Sequence, residues 1–172
     1  MRRAILLAPK ITVFAFGEGK TEDAFLKYIK SLYGRRPGIF IKVNCGSGKS
    51  PKIVLDQAIR NGALQYDRRF IFLDTDVVWK QEVKDKAKIK KIELIPSTPC
   101  TEGFLLSLIE PNFNSTIHSS KECKRLFHKK YLTKTEKLDH RNYKKLLPVK
   151  KLEFLRKKDK ILDKIIRLMT TT

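Results

Sequence analysis

Four short apolar runs, each followed by a stretch of helical period, recur through the first 111 residues. ITVFAF (Ile11 to Phe16), IFIKVN (Ile39 to Asn44), RFIFLDTD (Arg69 to Asp76) and KIELIPS (Lys91 to Ser97) are rich in β-branched and aromatic residues and read as strands. The unbroken apolar character of the first is that of a strand covered on both faces. Between the runs the period changes. Thr21 can cap a helix that carries Phe25, Tyr28, Ile29 and Leu32 on one face and stops at Gly34. Ser50 and Pro51 start a second helix, with Ile53, Val54, Ala58 and Ile59 as its apolar face. A charged third helix runs from about Lys80 to Ile89, and a mostly apolar fourth begins near Cys100 and ends before Pro111. Strand and helix in strict alternation predict an α/β layered fold with a mainly parallel four-stranded sheet.

After Pro111 the strand signals fade. KECKRLFHKKYL and VKKLEFLRKKDKILDKIIRLM read as helices, the second with Leu152, Leu155, Leu162, Ile166 and Met169 along one face. The expected organisation is therefore an α/β core over residues 1–111 and a basic helical extension over residues 112–172, packed on or beside it.

Charge separates the two parts. The 172 residues include 38 Lys plus Arg against 18 Asp plus Glu, a net charge of +20. From Lys121 to Thr172 there are 18 basic and 6 acidic residues, so +12 lies in the last third. Such a surface attracts polyanions, with nucleic acid as the expected partner. A solvated lysine-rich surface is the plainer reading of the same number. No apolar run approaches the ~18–20 residues of a membrane span. The opening MRRAILLAPK lacks the length and cleavage site of a signal peptide, and Cys45, Cys100 and Cys123 form no CxxC. An unprocessed cytoplasmic protein, without a membrane partner, is expected.

GEGKT (Gly17 to Thr21) and CGSGKS (Cys45 to Ser50) imitate a nucleotide-binding loop. That loop needs GxxxxGK[ST], because the first glycine opens the turn whose amides wrap the phosphates. Counting back places Phe14 and Val43 at the first-glycine position, inside apparent strands. Neither stretch is a P-loop. Either could still be a degenerate anion-binding turn at a helix start, and Lys20 and Lys49 are candidate phosphate contacts.

Most acidic residues lie among lysines on solvated helix faces. Glu18, directly after the first strand, Asp74 and Asp76, closing the third, and Glu102, after the fourth, do not. In an open α/β sheet ligands bind at the carboxyl ends of strands, where all four fall. Two residues apart in extended chain, Asp74 and Asp76 would point to the same side. Carboxylates packed in an apolar frame resist ionising together, which raises a pKa or demands a cation. Mg²⁺ (or Mn²⁺), a hard ion that takes few carboxylates and keeps positions for phosphate oxygens, suits that set. Glu22, one turn after Glu18, could join it. Singly, each acid also has an ordinary reading: a first-turn acid at Glu18 or Glu22, turn caps at Asp74 and Asp76, a capping-box acid at Glu102. His118, Cys123 and His128 are spaced against zinc binding, and no GxSxG is present. Trp79, the only tryptophan, either stacks on a base or packs at the core's rim.

GEGKTEDAFLKYI, CGSGKSP, YDRRFIFLDTD and STPCTEGFLLSLIEP together resemble a Toprim domain, the catalytic domain of primases, some topoisomerases and small nucleases. More closely, the chain resembles the RloB-like proteins, over about Ile11 to Pro111, with HRNYKK a weaker echo further on. The resemblance implies a Toprim-like (Rossmann-like) core in which Glu18 matches the glutamate beside the metal, a candidate general acid or base. It likewise makes Asp74 and Asp76 the DxD metal ligands, with Glu22 and Glu102 at acidic positions of that family. Thr101 and Gly103 stand where relatives often carry aromatics. The function implied is a metal-dependent nuclease acting on DNA or RNA, tRNA included, in a phage-defence or restriction-linked setting, with an ATPase or a restriction-system protein as the partner to expect. The rival readings are a non-catalytic nucleic-acid-binding or adaptor subunit and a phosphotransfer enzyme.

Overall fold

The structure is a computed structural model that describes residues 11–35, 37–48, 50–132 and 139–170. Along these, β1 (Ile11–Gly17), α1 (Lys20–Tyr33), β2 (Ile39–Cys45), α2 (Pro51–Arg60), β3 (Arg68–Asp74), α3 (Gln81–Ile89), β4 (Glu93–Ser97) and α4 (Thr101–Ile109) alternate. Four further helices follow: α5 (Ser120–Tyr131), α6 (His140–Leu146), α7 (Val149–Leu155) and α8 (Lys160–Leu168). The sheet has four strands, all parallel, in the order β2-β1-β3-β4. This is the α/β layered fold expected from the alternation of periods. No helix among the described residues is long and apolar enough to cross a membrane.

Strand alternation sorts the core into two layers. Val13 and Ala15 of β1 and Phe70 and Phe72 of β3 join one apolar cluster, with residues of α1, α4 and the helices after them. Phe14, Phe16, Ile71 and Leu73 face the opposite way, onto Val54, Leu55 and Ala58 of α2 and Val83 and Ala87 of α3. In the same parity Asp74, the last residue of β3, falls on the side of α1 and α4.

The larger cluster is built on aromatic contacts. The Phe25 ring lies 5.9 Å from Phe72, 6.0 Å from Phe104 and 5.6 Å from Tyr143. Tyr143 of α6 is fully buried and stacks on Tyr28 of α1. Both hydroxyls find acceptors: Tyr28 donates to the Leu147 carbonyl and Tyr143 to the Thr21 carbonyl. Leu152, Leu162, Ile165, Ile166 and Met169 complete the same cluster, so the basic helices share the core of the sheet. At the opposite strand ends, the Arg68 guanidinium donates to the carbonyls of Arg167 and Thr170 and so fixes the end of α8.

Several local expectations are revised. The third strand ends at Asp74 rather than Asp76: β4 ends at Ser97, and the Thr75 amide makes the last bond to it, shared with the Pro99 carbonyl beyond. Helix α1 is capped by Gly19, not Thr21, with the Glu22 carboxylate reaching back to the Gly19 amide at 2.7 Å. The last helical segment is two helices. Asp159 accepts from the Leu162 amide at 2.7 Å and starts α8 afresh. Leu55, not Ile53, supplies the buried face of α2.

Because Tyr143 joins α6 to α1 and to the aromatic cluster, Tyr143→Ala should destabilise the protein by about 3–5 kcal/mol, the range for deleting a large buried aromatic. Urea unfolding would measure it. A change within 1 kcal/mol would show that α6 is not part of the cooperative core.

Candidate active site

The carboxyl ends of β1, β3 and β4 meet at one edge of the sheet, and acidic residues gather there. Glu22, Asp74 and Glu102 are buried, at 5%, 6% and 4% exposure; Glu18 is half-buried beside them. Local backbone explains each placement. β1 ends at Gly17, where an added Cβ would lie 2.5 Å from the Glu22 Cβ. Only a glycine lets the first turn of α1 fold back so closely, and this brings Glu22 inward. Glu102 lies in the first turn of α4, directly after Thr101.

Asp74 is the hub. Its Oδ1 accepts from Ser97 Oγ (2.7 Å), the Thr101 amide (2.9 Å) and Thr101 Oγ1 (3.2 Å). Its own amide donates to Glu18 Oε2 at 3.2 Å, and its carbonyl accepts from the Trp79 indole at 2.9 Å. Its Oδ2 lies 3.8 Å from the Lys124 ammonium of α5. Glu102 Oε1 accepts from the Thr21 hydroxyl at 3.0 Å and lies 3.9 Å from His128 Nε2, one turn beyond Lys124. Glu102 Oε2 is buried with no hydrogen-bond partner among the described residues.

Crowding shows in the protonation equilibria. Burial, then the charge of Asp74, pushes Glu18 up to about 7. Burial, then the charge of Glu22, pushes Asp74 up to about 7, against the pull of the Ser97 hydroxyl and Lys124. Burial likewise raises Glu22. For Lys124 burial alone would favour the neutral amine, but the charges of Glu102 and Asp74 outweigh it and hold the ammonium above its ordinary value.

The structure thus brings together Glu18, Glu22, Asp74 and Glu102. Asp76 lies beyond the strand and is exposed, although its charge is felt by Glu18 and Lys124. Lys20 is exposed at the first residue of α1, and Lys49 lies outside the described residues. The loop before Lys49 is not an open cradle. The Gly46 and Gly48 amides donate to the carbonyls of Gly17 and Glu18, at 2.9 and 3.0 Å, so the two glycine turns are stitched to each other. Gly103 is packed against Pro99 and Cys123, where an added Cβ would come within 2.9 and 3.0 Å. An aromatic wall at that position would have no room.

Sequence reasoning assigned no role at the carboxylates to Lys124 or Ser97, and weighed His128 only for zinc and Thr101 only as a place where relatives carry aromatics. Lys124 and His128 stand four apart on α5 and so share a face, but one lysine among 38 basic residues carries no signal of its own. Ser97 and Thr101 flank the fourth strand's exit, where donors to a carboxylate are unremarkable in sequence.

The fold and site define a parallel α/β protein with a buried carboxylate cluster at the carboxyl edge of its sheet, faced by a basic helix. The family model described as RloB-like protein matches residues 13–165, and the chain belongs to that family. No curated protein and no solved structure matches it.

In the fold Glu18 and Asp74 hold protons that the unfolded chain has already released, so unfolding releases protons between about pH 4 and pH 7. Stability of the metal-free protein should therefore fall as pH rises through that window. A thermal melt series from pH 5 to pH 8 should show the decline, and Asp74→Asn should flatten it. A midpoint that rises over that range would contradict the crowding.

Proposed function

We propose that this chain is a divalent-metal-dependent nuclease with a Toprim-like core, hydrolysing phosphodiester bonds of DNA or RNA. The observation that carries the reading is the enforced company of Glu18, Glu22, Asp74 and Glu102 at the carboxyl edge of the sheet in a chain of net charge +20. Acidic side chains crowded at the cost of their own ionisation, in a protein otherwise rich in cations, point to a site for a positive ligand rather than to surface chemistry. The family, the alternating fold and the Glu18 and Asp74 positions agree with it. A phage-defence or restriction-linked role in the cytoplasm, with an ATPase as partner, belongs to the same proposal, as does the division into a catalytic core (1–111) and a nucleic-acid-holding helical extension (112–172).

The donor chemistry fits Mg²⁺ or Mn²⁺: carboxylate oxygens only, with the buried Glu102 Oε2 still unpartnered. As they stand, the acidic side chains among the described residues do not form a group of three closed around an ion. Glu18, Asp74 and Asp76 would hold the metal, with Glu22 and Glu102 behind them. When bound, it supplies a Lewis acid for the scissile phosphate and a lowered pKa for water.

The protein's own groups have separable tasks. Ser97 and Thr101 engage Asp74 Oδ1 and aim Oδ2 outward. Glu18 has Oε2 engaged by the Asp74 amide, which leaves Oε1 to take or give a proton near neutrality. Lys124 brings a fixed positive charge to the place where negative charge would grow on a phosphate.

Purified protein should cut at least one of single-stranded DNA, duplex DNA, RNA or tRNA with Mg²⁺ or Mn²⁺. Asp74→Asn should lower cutting by about 10²-fold or more, the scale for losing one transition-state contact, while binding is retained. Independently of turnover, Mg²⁺ at pH 8 should raise the melting temperature of the wild type and not of Asp74→Asn. No cutting of any substrate, together with unchanged binding in Asp74→Asn, would reject the nuclease and leave the adaptor subunit as the reading.

A further inference from the structure

We infer that the groove between α3 and the edge strand β4 is a track for single-stranded nucleic acid leading to the carboxylate cluster. This deepens the nuclease reading and rests on it for the destination of the strand. The groove is about 530 Å³, lined by Ala87, Ile92, Leu94 and Trp79, by Lys84, Lys88 and Lys91, and by one acid, Glu93, which is paired with Lys164.

Three observations describe it. First, its lysines are uncommitted, as are many others on this basic surface. Among the described residues Lys84, Lys88 and Lys91 have no ion-pair partner, whereas Lys86 on the same helix is bound to Asp56 at 2.7 Å. In a second basic depression, around Arg68, Lys160, Lys164 and Arg167, Lys164 is paired with Glu93 and Arg167 with Asp163, at 2.5 and 2.6 Å, and Arg68 is held by backbone carbonyls. Lys84 and Lys88 lie one turn apart on one helix face, so both present charge along a single line.

Second, Lys91 occupies a left-handed backbone position, with φ 51°, at the end of α3. Glycine takes that conformation without strain, and a long β-carbon-bearing side chain does not. Arg69 holds the turn by donating to the Lys91 carbonyl at 3.0 Å. The conformation sets a lysine in the groove's lining at a site where backbone energetics favour no side chain at all.

Third, Trp79 ties the groove to the acids. Its indole N–H donates to the backbone carbonyl of Asp74, at the carboxyl edge of the sheet, while the ring packs on the α2/α3 cluster. A half-buried ring among apolar side chains, with ammonium groups in the same lining, offers stacking to an unpaired base and charge to the phosphates beside it. In a duplex the bases are already stacked, so the surface favours a single strand.

Trp79 is the only tryptophan, so its emission reports this groove alone. In EDTA, a labelled oligothymidylate or oligouridylate should bind by anisotropy and quench that emission, while a duplex of the same sequence should quench it less. The variant Lys84→Gln, Lys88→Gln, Lys91→Gly keeps the fold, the last change relieving the backbone. It should weaken single-strand binding at least about tenfold, with the slope of log K against log salt shallower by about 2, as for loss of three single-strand phosphate contacts. Oligonucleotide binding with silent Trp79 emission and an unaffected triple variant would overturn the track and leave the nuclease reading standing. Absence of any single-strand binding, or equal quenching by polyglutamate, would overturn it too. Loss of metal-dependent cutting in Asp74→Asn tests the nuclease separately.

Discussion

Everything at the site depends on the burial of one carboxylate. Asp74 Oδ1 gathers donors from the end of β4 and from the first turn of α4, and the Asp74 backbone gathers Glu18 from β1 and Trp79 from the loop beyond. A buried carboxylate without such donors would be too costly to keep. With them it becomes the knot at which three strands and a helix agree on their relative positions. The knot also holds unfavourable energy. Glu22 and Glu102 lie close enough to raise Asp74, and the ammonium of Lys124, 3.8 Å away, answers only part of the repulsion. A fold under pressure only for stability would replace one of these acids by a neutral residue. Their crowding at the cost of their own ionisation is what the proposed cation site rests on.

The sequence carried the architecture because two periods leave little freedom. Residues 13 to 16 and 70 to 73 alternate between two clusters, and that parity alone places Asp74 toward α4. Extrapolating the parity to Asp76 failed, since β4 ends at Ser97 and the Thr75 amide, shared between Ser97 and Pro99, makes the last bond between the two strands. That ending is tertiary and invisible in DTD. The cap of α1 failed for a related reason. Thr21 looks like a cap, but its hydroxyl donates to Glu102, a residue 81 positions away. Local rules assign a side chain to its own backbone, and a functional site redirects it.

The composition pointed to polyanions but could not say which cations are free. The structure distinguishes them by pairing. Lys86, Lys164 and Arg167 are held by carboxylates, Lys124 stands over Asp74, and Lys84, Lys88 and Lys91 face solvent along one groove. A net charge of +20 is therefore not one property but several, divided among fold, site and surface.

That division makes the two signs of charge act in sequence. On the proposed reading, the surface field would draw a phosphate chain in from a distance of about a Debye length. The chain would then meet a pocket of like charge, whose carboxylates repel phosphate unless they are protonated or bear a cation. On the proposed reading, strand binding and cation binding at this edge are coupled: each reduces the repulsion the other must overcome, by the same factor in both directions. Lys124 limits the penalty in the absence of a cation. It is sited on α5, outside the α/β alternation, so the helices after α4 contribute to the site as well as to the core. It completes the charge balance of the site, and the shared apolar cluster beneath α5 and α6 keeps it in register with the strands that carry the acids.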